Sequence, residues 1–439
     1  MNNQGPAFYD AHWMPYTANR AFKRDPRLVA RAEGCHYLTL DGRKVFDGLS
    51  GLWCCGAGHG HPAIAEAVTD QLRRMDYAPA FQFGHALSFE LANRIVELMP
   101  DGLSHVFFTN SGSECTDTAL KIARAYWREA GRPSKTKLIG RIRGYHGVNF
   151  GGTSLGGIGP NRQMYGPLLD ADHLSATLLP ENAFSRGMPQ YGSHLADQLE
   201  EIVALHDASN IAAVIVEPMS GSGGVVVPPA GYLQRLREIC DRHELLLIFD
   251  EVITGFGRTG SMTGAEEFGV VPDLLNLAKQ LTNGTIPMGA VVASEAIYGA
   301  FMETSKPQHA IELPHGYTYS AHPVACAAGL AALDLLVAEG LIARVRELAV
   351  RFETCLHELK GAPHVVDIRN YGLAGALQLR PREGDPLVRP YEAGVKVWAA
   401  GFYVRWGGDT LQFGPPFVAQ PSDLEAMFDC LAGVLAEVG

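Results

Sequence analysis

Asp250 and Lys279 are the two residues whose types and spacing point first to chemistry. Asp250, with Glu251 behind it, follows the apolar run at 245–249 (LLLIF), which has the length of a buried strand. A strand of a parallel sheet delivers the residues at its end to the carboxyl edge, where open α/β sheets bind their ligands. After a glycine-rich turn a second short apolar run, 274–278, ends on Lys279. A carboxylate and an amine thus stand at the ends of two strands of one sheet. That placement suits a Schiff-base lysine and an acid facing a cationic ring nitrogen. An ordinary ion pair at a sheet edge has the same spacing, but the two residues together, with the glycines between them, favour the first reading.

The elements that must position this pair recur along the chain. A strand-like run at 106–109 leads through Asn110, Ser111, Gly112 and Ser113 into an amphipathic helix whose first turn is polar and acidic. Such a junction offers free N–H groups, a positive dipole end and hydroxyls to a phosphate, although an ordinary capped helix reads the same way. No GxxxxGK[ST] loop is present. The run at 137–142 ends in GYHG (144–147), which would expose Tyr145 and His146 at the rim of the same cleft. Tyr145 there either stacks on a flat ligand ring or packs within its loop. The run at 211–216 closes on Glu217–Pro218 and the glycine-rich SGSGG of 220–224. Repetition of apolar strand, polar strand end and helix predicts an α/β domain with a mainly parallel sheet flanked by helices. Its strand ends supply Ser111, Gly112, Ser113, Tyr145, Glu217, Asp250 and Lys279 to one crevice. Residues 36–51 read as two short strands around the Asp41–Gly42 turn, and the tail as mixed α+β. The predicted division is 1–60 as an arm and part of a small domain, 61–325 as the large domain and 326–439 as the C-terminal small domain.

Composition removes several function classes. The chain has 439 residues, 47% of them hydrophobic and 19% charged, enough for a large core and unlike a disordered protein. A net charge of −11 without a basic block argues against nucleic acid or an anionic membrane as partner. Residues 1–15 lack the charged and apolar regions of a signal peptide, and no apolar run approaches the ~20 residues that span a bilayer. The eight cysteines show no metal or redox spacing, so they read as reduced thiols of a cytoplasmic protein. His59 and His61, two residues apart, read as structural or loop histidines, and no metal site is expected.

Taken together, NSGSE at 110–114, GYHG, the EP at Glu217, DEVITGFGRTG at 250–260, AKQLTNG at 278–284 and TYSAHP at 318–323 form an ordered set. The chain resembles the class III, fold-type I pyridoxal-phosphate aminotransferases along almost its whole length. HGYTYSAHPVACAA and YVRWGGDTLQFGPP are similar to the ω-amino acid–pyruvate branch. EPMSGSGG puts Ser222 where the ornithine and 4-aminobutyrate branches carry a glutamate.

The resemblance implies pyridoxal 5′-phosphate as cofactor, bound to Lys279, with Asp250 on its ring nitrogen and Tyr145 stacked on the ring. It assigns Gly112 and Ser113 to the phosphate, with Ser111, His146, Glu217 and Val252 around the cofactor and Thr318 reaching the phosphate of a neighbouring subunit. Trp53, Tyr145 and Ala230 would line the substrate pocket, Arg405 would receive the substrate carboxylate, and Gln412 would lie on the substrate side. The implied reaction carries an amino group from an ω-amino acid, β-alanine first, or from a primary amine to pyruvate. The implied assembly is a homodimer or a dimer of dimers. An aminomutase or decarboxylase on the same fold would use Lys279 and Asp250 as well. A non-enzymatic phosphate- or nucleotide-binding protein would leave both residues unexplained.

Overall fold

The computed structural model describes residues 6–166 and 168–439. Residues 1–5 of the expected arm, the leader reading for them and Pro167 lie outside the described residues. The strands run in chain order as β1 (Val29–Glu33), β2 (His36–Thr39), β3 (Lys44–Asp47), β4 (Leu103–Thr109), β5 (Lys137–Arg141), β6 (Ala171–Leu174), β7 (Ile211–Val216) and β8 (Leu246–Asp250). They continue with β9 (Leu274–Leu277), β10 (Gly289–Ser294), β11 (Val365–Tyr371), β12 (Ala374–Leu379), β13 (Phe402–Tyr403), β14 (Arg405–Gly407) and β15 (Thr410–Phe413).

The seven strands β4 to β10 form one sheet in the order β4-β10-β9-β8-β7-β5-β6. Every pair from β9 to β6 is parallel, and β10 runs antiparallel to both of its neighbours, β4 and β9. The inner strands are mostly apolar because both faces are covered, with polar exceptions such as the buried Asn276 of β9. In β8, Leu246 and Ile248 pack on one face with Ala119 and Ala123 of the helix Gly112–Glu129, while Leu247 and Phe249 enter the core on the other face. Side chains alternate across a strand, so one continuous apolar run serves two cores.

The hairpin β1–β2–β3 continues into β13, which pairs parallel with β3 and so ties residues 44–47 to the tail. β11, β12, β15 and β14 form a third, antiparallel sheet. The helix Pro323–Ala338 spans the expected boundary at 325, yet it packs on the helices Pro62–Arg74 and Ala86–Glu97 and on the turn Lys279–Thr282. On that packing we place it with the large sheet. Among the described residues no single helix is long and apolar enough to cross a membrane. His59 bonds Asp47 (2.7 Å), and the ring of His61 accepts the N–H of Ala63 at the start of the helix Pro62–Arg74.

Leu247 is fully buried at the centre of the sheet. Leu247→Ala should lower the unfolding free energy by about 2–5 kcal/mol through lost transfer energy and a residual cavity. Leu247→Met should cost less than about 1.5 kcal/mol. The urea midpoints of the two variants against the parent check both.

Candidate active site

The helix Gly112–Glu129 begins the site. Ser111 caps it by accepting the N–H of Glu114 (3.3 Å), and Glu114 reaches back to accept the N–H of Asn110 (2.7 Å). The Ser111 cap satisfies one of the orphan donors of the helix end, and the Glu114 carboxylate ties down the residue ahead of the cap. Ser113 lies inside the first turn, and its Oγ accepts the N–H of Val148 (3.1 Å), which draws the 145–148 turn over the helix end. Gly147 has φ +93°, and a Cβ there would stand 2.6 Å from Ser113 Cα. A Cβ on Gly112 would stand 2.9 Å from Val252 Cγ2. Both glycines are required by close approach.

Asp250 ends β8 in a buried position. Its Oδ2 pairs with Nδ1 of His146 at 2.8 Å, and its Oδ1 accepts the N–H of Val252 at 3.2 Å. The sequence placed His146 exposed at the rim; it is buried, because its ring is the partner that lets the Asp250 carboxylate leave water. Its Nε2 is buried without a hydrogen-bond partner among the described residues. Glu217, just beyond the end of β7, accepts the N–H groups of Tyr145 (2.9 Å) and Gly221 (3.2 Å). Burial pushes its carboxyl up to about 6.

Lys279 follows β9 with φ +46° and opens the turn Lys279–Thr282. Burial lowers its pKa against the opposing pull of Cys54, Asp250 and Glu217. A cavity of about 290 Å³ is lined by Ser111, Gly112, Ser113, His146, Glu217, Asp250 and Val252, together with Tyr145 and Lys279. A second cavity, of about 550 Å³, is also lined by Tyr145 and Lys279, and by Trp53 and Arg405. The two cavities therefore meet at one tyrosine and one lysine.

Trp53 has φ +69° and lies beneath the guanidinium of Arg258, 5.5 Å from its ring centre. Arg258 also donates to Ser50 Oγ (3.0 Å) and to the carbonyls of Leu373 (3.1 Å) and Pro415 (2.7 Å), which fixes this strained segment. Arg405 stands directly opposite Gln412 in the β14–β15 ladder. Gln412 is buried behind the second cavity, donating to the carbonyl of Ser222 (3.1 Å), and Ser222 itself lines the cavity. Ala230 lines neither cavity; its N–H is tied to the carbonyl of Pro189 (2.9 Å) ahead of the helix Tyr232–Arg242. Thr318 is exposed and also outside both cavities, its carbonyl accepting from Tyr77 Oη (2.8 Å). Sequence reasoning missed the arm around Met14, Tyr16 and Phe22 and the wall residues Tyr391 and Tyr403 of the second cavity. Their only signal is a set of large apolar side chains spread over remote stretches of the chain.

The class-III aminotransferase family model matches residues 17–435. The chain belongs to the class-III aminotransferases. This aminotransferase is 64% identical over 426 residues to the β-alanine–pyruvate aminotransferase of Pseudomonas aeruginosa, covering 97% of this chain and 95% of that protein. It is 63% identical to the ω-amino acid–pyruvate aminotransferase of Pseudomonas putida, with 97% and 95% covered. It superposes on an amine transaminase from an uncultivated Pseudomonas species, solved with its cofactor bound, with a TM-score of 0.91 and 38% identity over 98% of this chain and 99% of that one. The cofactor of this aminotransferase is pyridoxal 5′-phosphate. The first cavity fits it: a capped helix end suits a phosphate, the buried Asp250 suits a cationic ring nitrogen, and Lys279 supplies the amine. Glycine at 112 and 147 lets Val252 and the 145–148 turn close in around that space.

Gly147→Ala should weaken cofactor retention strongly, since the new Cβ meets Ser113 backbone and the residue must keep φ +93°. Visible absorbance after gel filtration measures it, against Val148→Ala as a neighbouring control. The depressed pKa of Lys279 has a sign that can be read too. Its neutral amine should prevail from a lower pH than an exposed lysine, whose pKa is about 10.4. Covalent capture of the cofactor by the cofactor-free protein should rise with pH to a midpoint below that value. A midpoint at or above it would exclude burial as the controlling effect.

Proposed function

We propose that the protein transfers the amino group of an ω-amino acid, with β-alanine as the principal donor, or of a primary amine, to pyruvate, giving alanine and a semialdehyde or ketone. The observation that carries this reading is the junction of the two cavities at Lys279 and Tyr145. One cavity suits the cofactor, the other takes the substrates, and the lysine serves both. The names of the relatives from Pseudomonas support the same donor and acceptor.

Pyridoxal 5′-phosphate, when bound, supplies the electron sink for the pair released as the carbon bearing the amine loses its proton. Ser111, Gly112 and Ser113 hold its phosphate at the helix N-terminus. Asp250, oriented by His146, keeps the ring nitrogen protonated; a carboxylate within about 4–6 Å raises the pKa of a cation by roughly 1–3 units. Tyr145 covers the ring, and Glu217 fixes the backbone N–H of Tyr145. Val252 closes the floor beside Gly112. Lys279 Nζ, depressed in pKa by burial, would take the proton from the donor carbon and deliver it to the cofactor side within the first half-reaction, and would run the same transfer in reverse, onto the carbon of pyruvate, in the second.

Arg405 receives the planar carboxylate of pyruvate, which a guanidinium holds with two parallel hydrogen bonds. Among the described residues Arg405 has no carboxylate within salt-bridge distance, and Ser222 stands where other branches place an acid. The site is completed by a second copy of the chain: Thr318 is exposed and outside its own subunit's cavities, which suits contact with a neighbour's cofactor phosphate.

The purified holoprotein should show the visible band of lysine-bound cofactor, bleach with β-alanine and recover with pyruvate while alanine forms in equal amount. A band that β-alanine leaves untouched would remove that donor, and bleaching without alanine formation would favour an aminomutase. Arg405→Ala should raise KM for pyruvate at least tenfold and affect 1-phenylethylamine far less. Equal loss with both would refute the carboxylate role.

A further inference from the structure

The second cavity carries more positive charge than pyruvate or β-alanine requires. Its lining holds two arginines, Arg405 and Arg27, beside Lys279, and no acidic residue among the described ones. At about 550 Å³ it lies within the range of pockets that enclose ligands much larger than either small acid. Arg405 shares this cavity with Lys279 and Tyr145 and stands opposite Gln412 in the β14–β15 ladder. Arg27 lines the same cavity but reaches it from a different element. It comes from the N-terminal arm, just ahead of β1, and shares its part of the lining with Phe22, Tyr391 and Trp406.

Arg27 is also held ready. Its guanidinium carbon lies 5.2 Å from the ring centre of Phe22 and 5.8 Å from that of Trp406. Two aromatic faces fix the side chain and leave the planar fork of donors free. Among the described residues it has no carboxylate within 4 Å and no hydrogen-bond acceptor, in a protein where most other arginines are paired. An arginine that lines a cavity without an acid, and is already oriented, is suited to bind a carboxylate brought by a ligand.

We propose that Arg27 is a second carboxylate receptor, which takes the remote carboxylate of ω-amino acids longer than β-alanine, while Arg405 takes a carboxylate beside the reacting carbon. This inference rests on the transaminase reading above and names the donor class that the outer cavity selects. No movement of Arg405 is needed for the long donors. Each acid meets the arginine that its chain length reaches.

The test compares 5-aminopentanoate with pentylamine, the same chain without its carboxylate, and with β-alanine, all with pyruvate as acceptor. In Arg27→Met the ratio of kcat/KM for 5-aminopentanoate over pentylamine should fall about tenfold, mainly through KM. Arg27→Lys should restore part of it, and the difference should shrink at high ionic strength, as for any partly solvated charge contact. β-Alanine should lose much less than 5-aminopentanoate. An equal loss for all three donors would show that Arg27 merely anchors the arm, and an unchanged ratio would show that it meets no carboxylate; either overturns the proposal. If the unmodified enzyme uses β-alanine but does not prefer 5-aminopentanoate over pentylamine, the proposal fails and the transaminase reading stands. If it uses none of the three with pyruvate, both fail.

Discussion

The pairing of Asp250 with His146 is the constraint from which the rest of the site follows. A carboxylate at the end of a central strand has lost its water and needs hydrogen bonds in exchange. His146 supplies one and the N–H of Val252 the other. Fixing His146 fixes the turn around it, and that turn delivers Tyr145 to the junction of the cavities and Val148 to Ser113. The N–H of Tyr145 then goes to Glu217, so two strand ends and one helix end are locked by a few polar contacts. The remaining Nε2 of His146 is the buried donor or acceptor that the network leaves open.

Strained backbone gathers around the same place. Ser50, Trp53, Arg143, Val225 and Lys279 all have φ between +46° and +69°. Each such residue costs of order 1–3 kcal/mol and persists only where its surroundings over-determine it. For Trp53 the surroundings are Arg258 and its bonds to three separate segments. For Val225 they are the carbonyls of Ser222, Gly223 and Gly224, which accept from Gln412, Arg143 and Arg369, each on a different element. The wall of the substrate cavity is thus held by side chains from both the large sheet and the third sheet.

The sequence made the inner sheet legible because β7, β8 and β9 are apolar on both faces and end on charged or polar groups. Asp250, Lys279 and Ser111 to Ser113 could be read from those ends. β10 could not: nothing in GAVVAS says that it slots between β4 and β9 in the opposite direction. The exposure of His146 was misread because its acid partner is distant in sequence. Which of Ser111 and Ser113 caps the helix is decided in favour of Ser111 by backbone angles that residue type does not report. The outer cavity wall was illegible for the same kind of reason. It is assembled from the arm, the segment at 50–53 and the strands at 402–407, and contact between such remote stretches leaves no periodic trace.

The position of β10 also bears on how the protein is made. β4 lies at the edge of the large sheet, and its one sheet partner is β10. On a ribosome the residues of β4 emerge long before those of β10, so an apolar strand waits unpaired while most of the sheet is synthesised. Until β10 arrives, that strand is an open template for another nascent chain. Overproduction at low temperature, where synthesis is slow, would prolong this interval. The yield of soluble protein would then depend on how well chaperones shield residues 103–109 during translation.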